Sequence, residues 1–383
     1  MNFEFAAPTR ILFGEGRVND AAQLASGMGS RALVVEGQSA RAEPLVGQLR
    51  EKGIATTTIR VASEPTISLV EGGVAQARRE QCDLVVALGG GSVIDAGKAI
   101  AALLTNVAPV RDYLEVIGIG RPLTNRSAPL IAIPTTAGTG AEVTRNAVLM
   151  AEEERVKVSL RSVLMLPVVA IIDPVLTYTL PPAITASTGL DALTQCIEPF
   201  VSRQANPLSD AVAREGIRRA AGALRRAYRD GADVEARRDM ALASLCGGLA
   251  LANAKLGAVH GFASPLGGMF PVPHTTVCAR LLPAVAEVNV RALRAREPAS
   301  PALTRYDEVA RILTGSSGAR AEDAVEWLRE IVEELAVPRL STYGVREQDI
   351  PRVAAEARRA SSMQGNPIVL TGDELAEVLG GSI

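Results

Sequence analysis

The sequence predicts an α/β domain with a parallel sheet, followed by an all-helical domain. In the first half, apolar runs of five to seven residues alternate with helical stretches. That alternation is typical of a parallel sheet covered by helices on both faces. After residue 181 nearly every segment has helical composition, and a length of 383 residues suits two domains. We therefore predict one domain over residues 1–180 and a second over residues 181–383.

The strands of the first domain are predicted from short runs rich in β-branched residues. They are Arg31–Glu36, Thr57–Val61, Cys82–Leu88, Pro129–Ile133 and Val168–Ile172. The helices predicted between the early strands are Ala40–Lys52 and Leu69–Arg79. The second domain is predicted to contain helices over residues 187–198, 207–228, 234–254, 281–292, 306–313, 321–335 and 349–361, the first of them opened by a Ser/Thr cap.

Composition excludes several classes of protein. A net charge of −2 provides no field that would attract nucleic acid or an anionic membrane. The longest apolar stretch, Val163–Ile172, is shorter than the roughly 20 residues of a membrane span, and the first residues do not resemble a signal peptide. Four scattered cysteines without a CxxC pair predict buried, reduced thiols. We expect a soluble, cytoplasmic protein.

A glycine-rich turn, Gly89–Ser92, follows the strand Cys82–Leu88 and precedes a predicted helix. Glycines let backbone N–H groups approach an anion closely, and the helix N-terminus adds a partial positive charge. The turn therefore suits a pyrophosphate. A tight connection without a ligand is the alternative, since such a turn alone has low specificity.

A second polar turn, Pro134–Gly140, follows the strand Pro129–Ile133. Thr135, Thr136 and Thr139 supply hydroxyl groups that suit ribose and phosphate oxygens. Both turns follow parallel strands, so they are expected at the edge where α/β folds bind ligands. Neither contains the Gly-Lys-Ser/Thr of an ATP-binding P-loop, which favours a dinucleotide.

The only two histidines, His260 and His274, lie fourteen residues apart in a segment of small and apolar residues. Upstream, Asp191 and Gln195 are spaced i and i+4 and so share one face of a predicted helix. One carboxylate and two imidazoles suffice for a divalent catalytic metal. Two purely structural histidines are the alternative.

Together these segments resemble the iron-containing (group III) alcohol dehydrogenase family over nearly the whole chain. The matching motifs are residues 8–14, 89–98, 134–144, 173–182, 189–198, 260–274 and the pair Asn366-Pro367. The resemblance implies the dehydroquinate synthase-like architecture, with a Rossmann-like nucleotide domain, a helical domain and the active site in the cleft between them.

The resemblance also implies roles for individual residues. The pyrophosphate would lie on Gly89, Gly90, Gly91 and Ser92, with Asp95 and Lys98 beside it. The adenosine and nicotinamide ends would contact Thr135, Thr136, Thr139 and Lys157. The family's metal ligands correspond to Asp191, Gln195, His260 and His274.

Three departures from the family pattern affect the predicted site. Gln195 stands where the family has a histidine, so metal affinity should fall, and Ser264 replaces another family histidine. The acid that usually holds the adenosine ribose is also missing. Gly37, Ser39 and Arg41 could accommodate a 2′-phosphate, whereas Glu36 is compatible with NAD. The predicted cofactors are thus NAD or NADP and a divalent metal, Fe²⁺ or Zn²⁺.

The predicted function is hydride transfer between a nicotinamide cofactor and a small alcohol or aldehyde, with the metal polarising the substrate oxygen. The alternative is a metal-independent reductase like the maleylacetate reductases, in which His260 or His274 is the general acid. A dehydroquinate synthase-like lyase would need cationic residues where Gly261–Pro273 is uncharged. A non-catalytic binding protein and a homodimer formed through the N-terminal strand are further hypotheses.

Overall fold

The computed structural model describes residues 2–383, which form two compact units. The α/β unit contains Ala6–Thr136 and Gly140–Thr177. The helical unit contains Tyr178–Ile383, the N-terminal residues up to Phe5 and the short segment Ala137–Thr139. The sequence-based division at residue 180 did not separate that short segment from the first domain.

The strands are β1 Arg10–Phe13, β2 Arg31–Gly37, β3 Ala55–Val61, β4 Leu84–Gly89, β5 Leu130–Pro134, β6 Asn146–Ala151, β7 Val156–Arg161 and β8 Val169–Ile172. The helices of the α/β unit are α1 Ala21–Ala25, α2 Glu43–Glu51, α3 Ile67–Arg79, α4 Gly91–Thr105 and α5 Val110–Tyr113. Those of the helical unit are α6 Pro182–Val201, α7 Pro207–Arg229, α8 Val234–Ala254, α9 Ala258–Met269, α10 His274–Arg296, α11 Pro301–Thr314, α12 Ala321–Glu334, α13 Ile350–Arg359 and α14 Gly372–Gly380.

Six strands form one parallel sheet in the order β1-β8-β5-β4-β2-β3, which confirms the predicted fold class. Apolar cores cover both faces of this sheet, as expected for strands that read as continuous apolar runs. The strands β6 and β7 form a separate antiparallel hairpin that the sequence analysis did not predict. The hairpin strand β6 alternates buried and partly buried residues, so it lacks the continuous apolar run on which the prediction relied.

Two glycines let α4 pack closely against the end of β4. A Cβ atom on Gly97 would lie 2.7 Å from the Cβ of Ala87 in the strand, and one on Gly89 would lie 2.5 Å from the Val93 side chain. Both separations are shorter than carbon–carbon contact allows. The glycine pattern therefore sets where the helix begins relative to the sheet.

Helix α6 begins earlier than the sequence predicts. Pro182 is its first residue, so the predicted Ser/Thr cap near residue 187 is wrong. Proline favours the first helical position because its fixed φ is already helical. The hydroxyls of Ser187 and Thr188 instead donate to the Ile184 carbonyl from inside the helix, at 3.3 and 2.7 Å.

The helical unit has one continuous apolar core, to which α6 contributes nearly every turn. Over residues 2–383, no single helix has the length and hydropathy needed to cross a membrane. The pair α8 and α9 would meet those criteria only jointly, and it is bent by 99°.

Candidate metal and nucleotide sites

Three helices of the helical unit bring four potential metal ligands together. Asp191 lies on α6, His260 on α9, and His274 and Cys278 on α10. Each residue offers one ligand atom, and these four atoms all lie within 4.8 Å of one another. The two imidazole rings have centroids 5.3 Å apart. The predicted proximity of one carboxylate and two imidazoles is therefore a feature of this structure.

Asp191 is fully buried, with no exposed side-chain area. Neither of its carboxylate oxygens has a hydrogen-bond partner. Burial raises the pKa of Asp191 to about 6, against the opposing effects of His260 and the Cys278 thiol. A buried carboxylate that accepts no hydrogen bond is costly, and a cation among these donors would compensate it. The residues present thus fit a divalent metal.

His260 is held in place by Glu198, a residue to which the sequence analysis gave no role. Its Nδ1 lies 2.6 Å from a Glu198 carboxylate oxygen, and the other carboxylate oxygen accepts from the Val259 backbone at 2.7 Å. Burial alone would lower the pKa of His260, but the Glu198 hydrogen bond and the charges of Glu198 and Asp191 raise it overall. With Nδ1–H donating to Glu198, the Nε2 lone pair is available to a metal.

His274 and Cys278 are one helical turn apart at the start of α10, so both side chains reach the cluster. The Cys278 sulfur lies 3.6 Å from Nε2 of His260 and from Nε2 of His274. His274 is the most exposed of the four, with about a third of its side chain accessible. Sequence analysis treated Cys278 only as a buried thiol, although its i+4 spacing from His274 was visible.

Gln195, the fourth predicted ligand, is engaged by the protein backbone. Its side-chain nitrogen donates to the Gly138 carbonyl at 2.9 Å. Only the amide oxygen is left as a potential metal ligand, and an amide oxygen is a weaker donor than imidazole. Metal binding by Gln195 remains a prediction.

In the α/β unit the two predicted turns are adjacent. Gly89 pairs with Pro134 in the sheet, and the Thr135 amide donates to the Gly89 carbonyl at 3.0 Å. Gly90 is the N-cap of α4 and provides no side-chain cap, so no N-cap side chain competes for the first N–H groups of this helix. Thr136 lies next to Gly90.

Other predicted cofactor residues have internal partners. Lys98 is fully buried and pairs with Asp95 at 2.9 Å, and its ammonium also donates to Thr144 and to the Asn146 carbonyl. Asp95 accepts from the Val148 backbone as well. Lys98 and Asp95 therefore form a buried ion pair within the α/β unit. Their contact with a pyrophosphate stays a prediction.

Two further predicted cofactor residues belong to other segments of the chain. Lys157 pairs with Glu64 at 2.8 Å, within the α/β unit. Thr139 belongs to the segment that clusters with the helical unit. Their predicted contacts with the nucleotide remain predictions.

At the end of β2, Glu36 is bound by other groups of the protein. Glu36 is buried and accepts from the Ala42 backbone at 3.2 Å and from Arg60 at 3.1 Å. Gly37 ends the strand and Ser39 is exposed in the turn that follows. The carboxylate at this position is thus already bound by protein groups.

A glycine-rich turn on a parallel sheet and a carboxylate–imidazole cluster on helices are together typical of nicotinamide-dependent, metal-binding dehydrogenases. Comparison with protein families gives the same result. The family model "Iron-containing alcohol dehydrogenase" matches residues 8–174, and that of the C-terminal part of the same family matches residues 185–383. The chain belongs to the iron-containing alcohol dehydrogenase family.

Individual relatives agree with this assignment over the full length. The chain is 36% identical to a choline dehydrogenase of Bacillus subtilis (strain 168), covering 95% of this chain and 90% of the relative. It is 36% identical to a 1,3-propanediol dehydrogenase of Klebsiella pneumoniae, covering 98% and 97%. A crystal structure of a 1,3-propanediol oxidoreductase superposes with a TM-score of 0.92 at 35% identity, covering 100% of both chains.

The protein is therefore an alcohol dehydrogenase that transfers hydride between a nicotinamide cofactor and a small alcohol or aldehyde. This result decides against the dehydroquinate synthase-like lyase and against a non-catalytic binding protein.

Proposed function

We propose that Asp191, His260 and His274 hold one divalent metal ion and that turnover depends on it. The observation that supports this most strongly is the buried Asp191 carboxylate, which has no hydrogen-bond partner and lies 3.7 and 4.0 Å from the Nε2 atoms of the two histidines. When bound, such an ion acts as a Lewis acid on the substrate oxygen.

The protein's own residues then have distinct roles. Asp191 supplies the negative charge that balances the cation, and Glu198 fixes the ring of His260 so that Nε2 faces the cluster. The partly exposed His274 marks the side of the cluster from which a small substrate would enter. The backbone N–H groups of Gly91 and Ser92 would hold the cofactor pyrophosphate, and the hydride chemistry belongs to the cofactor.

The proposed substrate is a small, weakly polar primary alcohol or its aldehyde. Helix α9 and the residues that join it to α10 contain no Asp, Glu, Lys or Arg, so apart from His260 this region offers no ion pair to a charged substrate. Relatives that cover nearly the whole chain carry the names 1,3-propanediol dehydrogenase and NAD-dependent methanol dehydrogenase. Both names refer to small primary alcohols.

The proposed cofactor site accepts NADP as well as NAD. Glu36 is bound by Arg60 and the Ala42 backbone, and Gly37 places no carboxylate at the end of β2. A carboxylate there favours NAD because it accepts from the ribose 2′-hydroxyl and repels a 2′-phosphate. Gly37→Asp is therefore expected to reduce kcat/KM with NADPH at least tenfold more than kcat/KM with NADH.

This substitution is structurally mild, since a Cβ on Gly37 would make only an ordinary contact of 3.9 Å with Val93. Ser39→Ala is the matched control in the same turn. It should change the ratio of kcat/KM with NADPH to kcat/KM with NADH much less. If Gly37→Asp leaves the ratio of kcat/KM with NADPH to kcat/KM with NADH unchanged, other residues discriminate between the two cofactors.

A chelation experiment separates the proposal from the metal-independent alternative. The enzyme should reduce a panel of short aldehydes, lose activity after dialysis against a chelator and regain it with added Zn²⁺ or Fe²⁺. His274→Ala should abolish turnover, because His274 is a metal ligand in the proposal and a general acid in the alternative. Full activity after exhaustive chelation would favour the metal-independent reductase.

A further inference from the structure

Cys278 is a potential metal ligand that lies outside the ligand set implied by the family resemblance. Its sulfur lies 3.6 Å from Nε2 of both histidines, on the side chain one turn after His274 in α10. It is fully buried and belongs to the same group of ligand atoms as Asp191. The other buried cysteines of the helical unit, Cys196 and Cys246, are not members of this group.

At the position where the family has a histidine, this chain offers a metal only a weak donor. Gln195 occupies it, and its amide nitrogen donates to the Gly138 carbonyl. An amide offers a metal only a neutral oxygen, whereas a thiolate offers a charged, polarisable donor. As a thiolate, Cys278 would therefore be a stronger metal ligand than Gln195.

Four of the six distances between the donor atoms can be compared with four-coordinate geometry. With Zn–N bonds of about 2.05 Å and a Zn–S bond of about 2.3 Å, tetrahedral angles separate the nitrogen and sulfur atoms by about 3.6 Å. Both sulfur–nitrogen distances in the cluster have this value. The oxygen–nitrogen distances of 3.7 and 4.0 Å exceed the corresponding separation of about 3.3 Å by a few tenths of an ångström, which side-chain movement can close.

We propose that Cys278 is a metal ligand in this protein, completing an Asp191, His260, His274 and Cys278 site. The inference rests on the metal site of the proposed function and adds a ligand type to it. Thiolate ligation favours Zn²⁺ and Co²⁺ over harder ions, so this chain should prefer Zn²⁺ to Fe²⁺. A substrate oxygen can still enter as a fifth ligand, because catalytic zinc sites expand their coordination in this way.

Cobalt substitution tests the ligand directly and without any measurement of turnover. The untagged protein is stripped with a chelator, loaded with Co²⁺ and examined by absorption spectroscopy. Ligation by Cys278 predicts an intense thiolate-to-cobalt band in the near ultraviolet together with visible d–d bands. Cys278→Ser should lose the near-ultraviolet band and bind Zn²⁺ at least tenfold more weakly, as judged by competition with a chromophoric chelator.

Cys246→Ser is the matched control, because Cys246 is a buried cysteine of the same unit outside the cluster. It should keep both the near-ultraviolet band and the Zn²⁺ affinity. Circular dichroism of each variant confirms that it is folded. If Cys278→Ser fails to fold, modification of thiols in the wild-type protein replaces it: bound Zn²⁺ should protect one buried thiol, identified as Cys278 by peptide mapping.

The outcomes distinguish this inference from the proposed function. Visible d–d bands without a thiolate band in the wild-type protein would overturn ligation by Cys278 and leave the three-residue metal site intact. A folded wild-type protein that binds neither Co²⁺ nor Zn²⁺ would overturn both. A Cys278→Ser variant with unchanged spectrum and affinity would overturn the inference alone.

Discussion

Glu198 acts on the metal cluster through His260 rather than by direct contact. Its two carboxylate oxygens bind the His260 ring and the Val259 backbone, so it fixes both the ring and the start of α9. Partners of this kind orient a ligand and raise its basicity. Glu198 is thus a positioning residue.

Replacing this carboxylate tests the positioning role. Glu198→Gln should weaken Zn²⁺ binding about 10–100-fold, since a neutral amide no longer stabilises a His260 ring that donates from Nδ1. Competition with a chelator measures the affinity, and Zn²⁺ at saturating concentration should restore part of the activity. Glu377→Gln, at an exposed ion pair with Arg291, should leave Zn²⁺ affinity unchanged. Unchanged affinity in Glu198→Gln would show that the contact is only structural.

The site residues differ in how far sequence could predict them. Asp191, His260 and His274 were predicted from residue type, rarity and family resemblance, and the structure brings them together. Cys278 carried a usable signal, its helical spacing from His274. No sequence signal identifies His260 as the partner of Glu198. The two residues are 62 positions apart and come into contact only when α6 and α9 pack together.

At the scale of elements, α4 depends on glycines where it meets the sheet. A methyl group on Gly97 would overlap Ala87 of β4, so the helix would have to move away from the strand. Such overpacking costs typically about 1–3 kcal/mol, and it would also displace the N-terminus of α4 from the proposed pyrophosphate site.

Two glycine-to-alanine substitutions with opposite expected effects on the free energy of unfolding test this packing. Gly97→Ala should lower the free energy of unfolding by about 1–3 kcal/mol and raise the KM for the cofactor. Gly72→Ala, in the neighbouring helix α3, has no atom within 4 Å of its new Cβ and should increase stability by about 0.5–1 kcal/mol. Urea denaturation measures both. A neutral or stabilising Gly97→Ala would show that α4 shifts without cost.

The predicted elements succeeded where a local pattern determines the structure. Parallel strands buried on both faces read as continuous apolar runs, and β2, β4 and β5 were found within two residues of their predicted limits at each end. The hairpin of β6 and β7 was not predicted. Burial alternates along β6, so its sequence lacks the continuous apolar run that identified the other strands. The start of α6 was misplaced because Ser187 and Thr188 resemble a cap, whereas proline at residue 182 begins the helix.

At the scale of the whole molecule, one buried carboxyl group should make stability depend on pH. Burial raises the pKa of Glu142 from 4.5 to about 7, with its own backbone hydrogen bond and the charge of Lys98 opposing the shift. The folded state therefore retains a proton that the unfolded state releases at lower pH. Between pH 4.5 and 7 the free energy of unfolding falls as pH rises, by about 3 kcal/mol from this group.

Glu142→Gln removes this titration while keeping the shape of the side chain. The variant should be more stable than the wild type at pH 8 and nearly equal to it at pH 4.5, where the wild-type carboxyl is protonated. Thermal unfolding across this range measures the difference. A stability difference that does not change with pH would assign the proton to another group.

The proposed activity depends on a divalent metal bound by the helical unit, and elemental analysis of the untagged protein tests for this metal most directly. The wild-type protein should contain about one Zn²⁺ or Fe²⁺ per chain, and Asp191→Ala should contain almost none while remaining folded, because it loses the only carboxylate among the four clustered donors. A metal-free wild-type preparation that still reduces an aldehyde with a nicotinamide cofactor would contradict the account and make the two histidines its acid catalysts.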